Sequence, residues 1–155
     1  MVVGTRPEAI KLSPIAHALA DLGGLPGLLV TGQHPGLELA DHGLDGSPAI
    51  ALGCPGQPDP MLHADLVRAA LNRVVPMNRP ELLIVQGDTS SALGGALAAS
   101  DLGVALAHVE AGLRTYDPNL PWPEEENRLA VDLLSDLLFA PTSGNAANLR
   151  REQLS

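Results

Sequence analysis

The sequence predicts an α/β protein, a Rossmann-like doubly wound parallel sheet. Three observations carry this. Short β-rich runs alternate with longer helical ones along the whole chain. Strands separated by helices pair in parallel, because only a crossover returns the chain in the same direction. The 155 residues, 45% apolar and 17% charged, suit one globular domain, and no linker, repeat or low-complexity segment divides them.

The elements follow in order. Val2-Val3 is the stub of a first strand. From Glu8 to Leu22, apolar Ile10, Leu12, Ile15, Leu19 and Leu22 recur at mostly helical spacing, with Pro14 near the first turn or at a kink. "GLLVTG" (27–32) reads as a buried strand and Gly36 to His42 as a helical piece. Residues 43–60, rich in Gly and Pro, read as a loop. In the next helix Leu62, Leu66, Val67, Ala70, Leu71 and Val74 share one face, with His63 largely off it. "ELLIVQGDTSSALGGALAASDLG" reads as strand, tight turn and helix, its Gly94-Gly95 pair predicting close packing against the sheet. "VALAHVEAG" is a strand and loop, "EEENRLAVDLLS" a helix, "LLFAPT" a strand and the tail a last helix.

Eighteen acids against nine Lys and Arg give a net charge of −9, which disfavours a general role on nucleic acid or an anionic membrane. Cys54 is the sole cysteine and reads as an incidental thiol in a loop. No apolar run reaches the roughly 18 residues of a membrane helix, so the expectation is a soluble cytoplasmic protein.

In an open α/β sheet ligands bind beyond the carboxyl ends of the strands, which selects four stretches. In "GTRPEAIK" (4–11), Gly4 permits a tight turn and the helix start offers N–H groups to an anion. Arg6 and Lys11 add two cations there, or stand as solvated charges on a capped helix. In "VQGDTSS" (85–91), Asp88 follows a strand and is placed to cap the next helix or to act chemically. "HVEAGLRT" (108–115) crowds His108, Glu110 and Arg114 together. "PWPEEENR" (121–128) puts Glu124, Glu125 and Glu126 in a first turn, where acids also favour the helix dipole, with Trp122 as a candidate hydrophobic plug. Together they set Asp88, Glu110 and one of the 124–126 acids on one edge near Arg6 and Lys11. Carboxylates sharing a pocket raise one another's proton affinity, as acid–base work near neutral pH requires.

The motifs "GTRPEAIKLSPI", "TGQH", "VQGDTSSALGGALAA", "HVEAGLRT", "PWPEEENR" and "FAPT", in that order, resemble the N-terminal domain of the UDP-N-acetylglucosamine 2-epimerase family. The resemblance implies one half of a two-domain GT-B-type enzyme, residues 1–155 being a partial N-terminal Rossmann-like domain with the active site facing an absent C-terminal domain. It implies conversion of UDP-GlcNAc to UDP-ManNAc by elimination and re-addition of UDP, without NAD or metal. The product would supply cell-surface polysaccharide synthesis, and the full-length protein would be a homodimer. By motif, Arg6 and Lys11 match nucleotide- or phosphate-contacting positions, and Asp88, Glu110 and Glu124 match carboxylates of proton transfer. Gln33, His34 and Arg68 match parts of an allosteric UDP-GlcNAc site, where Pro35-Gly36 replaces the basic and polar residues usual next.

Two features make the expectation one domain of a longer chain, inactive in isolation. The first strand has two residues where a central strand usually needs about five, and "NAANLRREQLS" reads as a helix followed by a cut. A hydrolysing epimerase releasing ManNAc and UDP is the alternative within the family. A nucleotide-sugar binding module or glycosyltransferase half-domain on the same fold is the alternative outside it.

Overall fold

The structure, a computed structural model, describes residues 1–24 and 26–154. Its order is β1 (Val2–Val3), α1 (Arg6–Asp21), β2 (Leu28–Val30), a 3-10 turn (Leu39–His42), β3 (Ala49–Ala51), α2 (Pro60–Asn78), β4 (Leu82–Gln86), α3 (Ser90–Leu102), β5 (Ala105–Val109), α4 (Glu124–Leu134), β6 (Leu137–Phe139) and α5 (Ser143–Arg151). Two three-stranded parallel ladders, β1-β2-β3 and β4-β5-β6, meet where β1 lies against β4. Across the molecule the strands run β3-β2-β1-β4-β5-β6, the doubly wound order, whose winding reverses between β1 and β4.

Because side chains alternate across a strand, Val2 and Val3 enter opposite cores. Val2 joins Val67, Leu71, Leu83, Val85, Ala96, Leu106 and Val131 beneath α2, α3 and α4. Val3 joins Ala9, Leu12, Ala16, Leu28 and Leu44 beneath α1.

Several expectations are corrected. The 43–60 loop contains β3, three exposed residues too short for a hydrophobic period. The 36–42 helix is only the 3-10 turn. In α1 the buried line is Glu8, Ala9, Leu12 and Ala16, while Ile10 and Leu22 face outward. In α2, His63 and Ala64 are buried, whereas Leu62 and Leu66 are exposed. The reason is size. At Gly94 an added Cβ would stand 2.6 Å from the Ala64 carbonyl oxygen and 2.7 Å from Val67 Cβ. Small residues therefore mark the α2–α3 contact, and large apolar ones beside them are left outside. Gly95 does meet the sheet, at Val85 and Val2. Trp122, 57% exposed, plugs nothing.

Gly94→Ala should therefore destabilise despite its better helix propensity. Overpacking costs about 1–3 kcal/mol, against roughly 1 kcal/mol or less gained in propensity. A lowered melting temperature is expected; an unchanged or raised one would mean that α2 can move aside.

Candidate active site at the β1–β4 switch point

The crevice beyond the strand ends, where the winding reverses, is bordered by the turns after β1 (Gly4–Thr5), β4 (Gly87–Thr89) and β5 (from Glu110). Gly4 is required by close approach rather than by a turn conformation. An added Cβ would lie 2.1 Å from Ser91 Oγ and 2.6 Å from Thr31 Oγ1. Gly87, by contrast, has φ +71°, and Glu110 adopts φ 78°, a left-handed backbone uncommon outside glycine.

The start of α1 departs from expectation. Thr5 and Glu8 form a capping box, with the Glu8 N–H donating to Thr5 Oγ1 at 3.4 Å. Glu8 Oε2 in turn accepts from the N–H groups of Gly4 at 2.5 Å and Thr5 at 2.7 Å. Pro7 has no N–H, and the N–H groups of the two residues leading into α1 are taken by the protein's own carboxylate. Arg6 is exposed and makes no ion pair or hydrogen bond among the described residues. It borders a cavity of about 330 Å³ with His34 and Pro35.

The three candidate carboxylates do converge. Glu110 is bidentate to Lys11 Nζ at 2.8 and 2.6 Å and accepts from Gln86 Nε2. Lys11 and Glu110 also edge a cavity of about 460 Å³ beside Phe139. Asp88 is held by Arg128 Nη2 at 2.5 Å. Burial pushes the Asp88 carboxyl above its ordinary range; Arg128 opposes this, while the charges of Glu124 and Glu110 push it further up. Glu124 Oε2 is buried without a partner. Of the three first-turn acids, then, Glu124 is the one that faces Asp88. Glu125 turns away to accept from the Thr115 and Tyr116 N–H groups, and Glu126 is exposed.

His108 and Arg114 do not join Glu110 at the edge. His108 Nδ1 lies 2.6 Å from Asp132 Oδ1, and its Nε2 2.8 Å from the Gly87 carbonyl oxygen. Arg114 pairs with Asp132 at 2.8 Å and with Glu152 at 2.5 Å. This buried network stands behind the Asp88 turn and braces it. Asp132, Glu152 and Glu8 were not singled out by spacing. Only Glu8 carried a signal, the T-x-x-E of its capping box.

Gln33 Oε1 accepts from Ser91 Oγ at 2.6 Å, and the His34 N–H donates to the Gly4 carbonyl at 3.0 Å, so both sit beside the β1 turn. Arg68 is bidentate to Asp101 at 2.6 Å on the α2–α3 surface. It stands five residues beyond His63, the α2 residue whose Nε2 is 3.2 Å from Ser91 Oγ.

A cavity of about 620 Å³, bordered by Leu19, Leu28, Val75 and Leu82, touches none of these residues. Among the described residues no cluster of His, Cys, Asp and Glu suits a metal ion, and no helix is long and apolar enough to cross a membrane. Cys54 is buried, its Sγ near the Leu52 and Leu66 carbonyls.

Comparison with known proteins adds independent findings. Residues 26–155 match the family model described as UDP-N-acetylglucosamine 2-epimerase. A UDP-N-acetylglucosamine 2-epimerase of Methanococcus maripaludis is 35% identical, over 100% of this chain and 42% of its own. A UDP-2,3-diacetamido-2,3-dideoxy-D-glucuronate 2-epimerase of Pseudomonas aeruginosa is 37% identical over 97% and 43%. The solved UDP-GlcNAc 2-epimerase of Methanocaldococcus jannaschii, in complex with UDP-GlcNAc and UDP, superposes with a TM-score of 0.91 at 38% identity, over 99% of this chain and 43% of that one. That of Neisseria meningitidis, bound to UDP-GlcNAc, gives 0.86 at 33% identity. The chain thus spans less than half the length of these relatives.

Proposed function

The chain belongs to the UDP-N-acetylglucosamine 2-epimerase family, and we propose that it forms the N-terminal Rossmann-like domain of a longer enzyme that interconverts UDP-GlcNAc and UDP-ManNAc. The observation that carries the proposal is the convergence of Asp88, Glu110 and Glu124 at the switch point, with Arg6 and Lys11 on the first turns of α1. Such a group fits a reaction that needs a proton removed from one face of a sugar carbon and another delivered to the opposite face.

In the proposed sequence one carboxylate takes the proton from carbon 2 as the bond from carbon 1 to the diphosphate oxygen breaks, leaving a glycal and UDP. UDP then adds back at carbon 1 while carbon 2 is protonated from the other face. Arg6, unpaired and exposed, supplies a forked contact for the leaving diphosphate. Lys11 reaches it only by leaving Glu110, so substrate binding would free that carboxylate. The Lys11–Glu110 pair is partly exposed and weak enough to part at small cost, about 0–1 kcal/mol.

Three further parts of the reading rest on family resemblance alone: a homodimer when full length, cytoplasmic operation, and a product feeding cell-surface polysaccharide synthesis. The second wall of the cleft would come from the remainder of the longer protein, so residues 1–155 by themselves should not turn over. The test is the full-length protein with UDP-GlcNAc in heavy water. UDP-ManNAc carrying deuterium at carbon 2 is the expected result. Free ManNAc and UDP would move the protein to the hydrolysing branch. Activity only on the 2,3-diacetamido uronate analogue would keep the chemistry and change the sugar. No turnover of either sugar, with UDP still bound, would leave a binding module.

A further inference from the structure

We infer that Glu8 is a positioning residue, a buried carboxyl that ties the β1–α1 turn to the β4–α3 turn and so fixes Arg6 relative to Asp88. A capping box accounts for its contact with Thr5 and for nothing more. Two other contacts exceed that role. The Gly4 N–H donates to Oε2 at 2.5 Å, and the Thr89 hydroxyl, 81 residues further along, donates to Oε1 at 2.5 Å. Thr89 Oγ1 also accepts from the Ala92 N–H at 3.1 Å as the cap of α3. One carboxylate therefore joins the starts of two helices on either side of the winding reversal. Burial raises the proton affinity of this carboxyl, and the donors it accepts from, the Thr89 hydroxyl and the Gly4 and Thr5 N–H groups, oppose that rise. At 2% exposure it is shut off from water, unlike a cap at the surface.

The consequence is geometric. Arg6 follows Thr5 directly, and Asp88 precedes Thr89 directly, so the tie sets the distance between the proposed diphosphate contact and a proposed proton-transfer group. The kinetic consequence rests on the epimerase reading; the tie itself does not.

The test has two arms on the full-length protein. In amide hydrogen exchange, Glu8→Gln, which keeps the side-chain volume, should speed exchange at both turns, residues 4–6 and 87–90. Thr89→Val should do the same, and Thr89→Ser, which keeps the hydroxyl, should not. Acceleration confined to the turn carrying the substitution would reduce Glu8 to a cap and overturn the inference. In the kinetic arm, Glu8→Gln should lower kcat about tenfold, the scale of one charge-assisted contact. It should lower it by less when added to Asp88→Asn than when made alone, because part of its effect acts through that turn. Independent, additive losses would overturn the positioning role. A wild-type protein that does not epimerise UDP-GlcNAc would count against the function alone, and the exchange arm would still decide the tie.

Discussion

Asp88→Asn in the full-length enzyme should abolish epimerisation while leaving the protein folded. Asn has nearly the same shape, and its carbonyl oxygen can still accept from Arg128, whose second partner Glu125 Oε2 remains at 3.2 Å. What is lost is the ability to take or hold a proton. Burial and the charges of Glu124 and Glu110 push the Asp88 carboxyl above its ordinary range, against the pull of Arg128. Proton transfer by a positioned side chain is worth roughly 10²–10⁴-fold in rate, so turnover should fall by about that much. UDP affinity should change little, because Arg6 is untouched. Deuterium uptake at carbon 2 from heavy water reads the same step directly and should fall in parallel. Turnover near the wild-type rate would remove Asp88 from the proton-transfer set and leave Glu110 and Glu124 to account for the chemistry.

The fold was legible because alternating strand and helix leave few topologies open, and the switch-point rule then placed the turns after β1, β4 and β5 at one crevice. The candidate carboxylates followed from that placement. Periodicity failed where size rather than polarity decided burial. Large apolar Leu62 and Leu66 were read as the inner face of α2, but the tight passage at Gly94 admits only Ala64 and Val67. It failed too for strands too short to show a period, as at β3. The supporting polar groups were the least legible. Glu8 meets Thr89 across 81 residues and His108 meets Asp132 across 24, and such pairings arise from tertiary packing, to which local spacing is blind. Asp132 in particular sits on α4 like any solvated helix acid, with nothing nearby in the chain to mark it as buried.

Replacing that residue should have the largest effect on stability. Asp132 is 1% exposed and accepts from three groups: His108 Nδ1 at 2.6 Å, the Gly112 N–H at 3.0 Å and Arg114 Nη1 at 2.8 Å. In Asp132→Asn the buried Arg114 side chain would lose one of its two carboxylate partners and keep the charge of Glu152 alone. Breaking a buried pair from one side costs about 3–5 kcal/mol, a large part of the roughly 5–15 kcal/mol that holds a domain together. At roughly 2–4 °C per kcal/mol, the melting temperature should fall by about 6–20 °C. Exposed Glu126→Gln on the same helix should move it hardly at all. The pH dependence has a definite sign. Burial pushes the Asp132 carboxyl up, but His108, Arg114 and the Gly112 N–H outweigh it and hold the group below its ordinary value. Its stabilisation is therefore fully present above the unfolded value of about 3.9 and is lost as pH falls through the lower folded value. The gap between wild type and variant should narrow in strong acid, as pH falls through that folded value. A gap that is small at neutral pH, or that widens on acidification, would mean that the network carries no net charge–charge stabilisation. The brace behind the Asp88 turn would then have to come from packing alone.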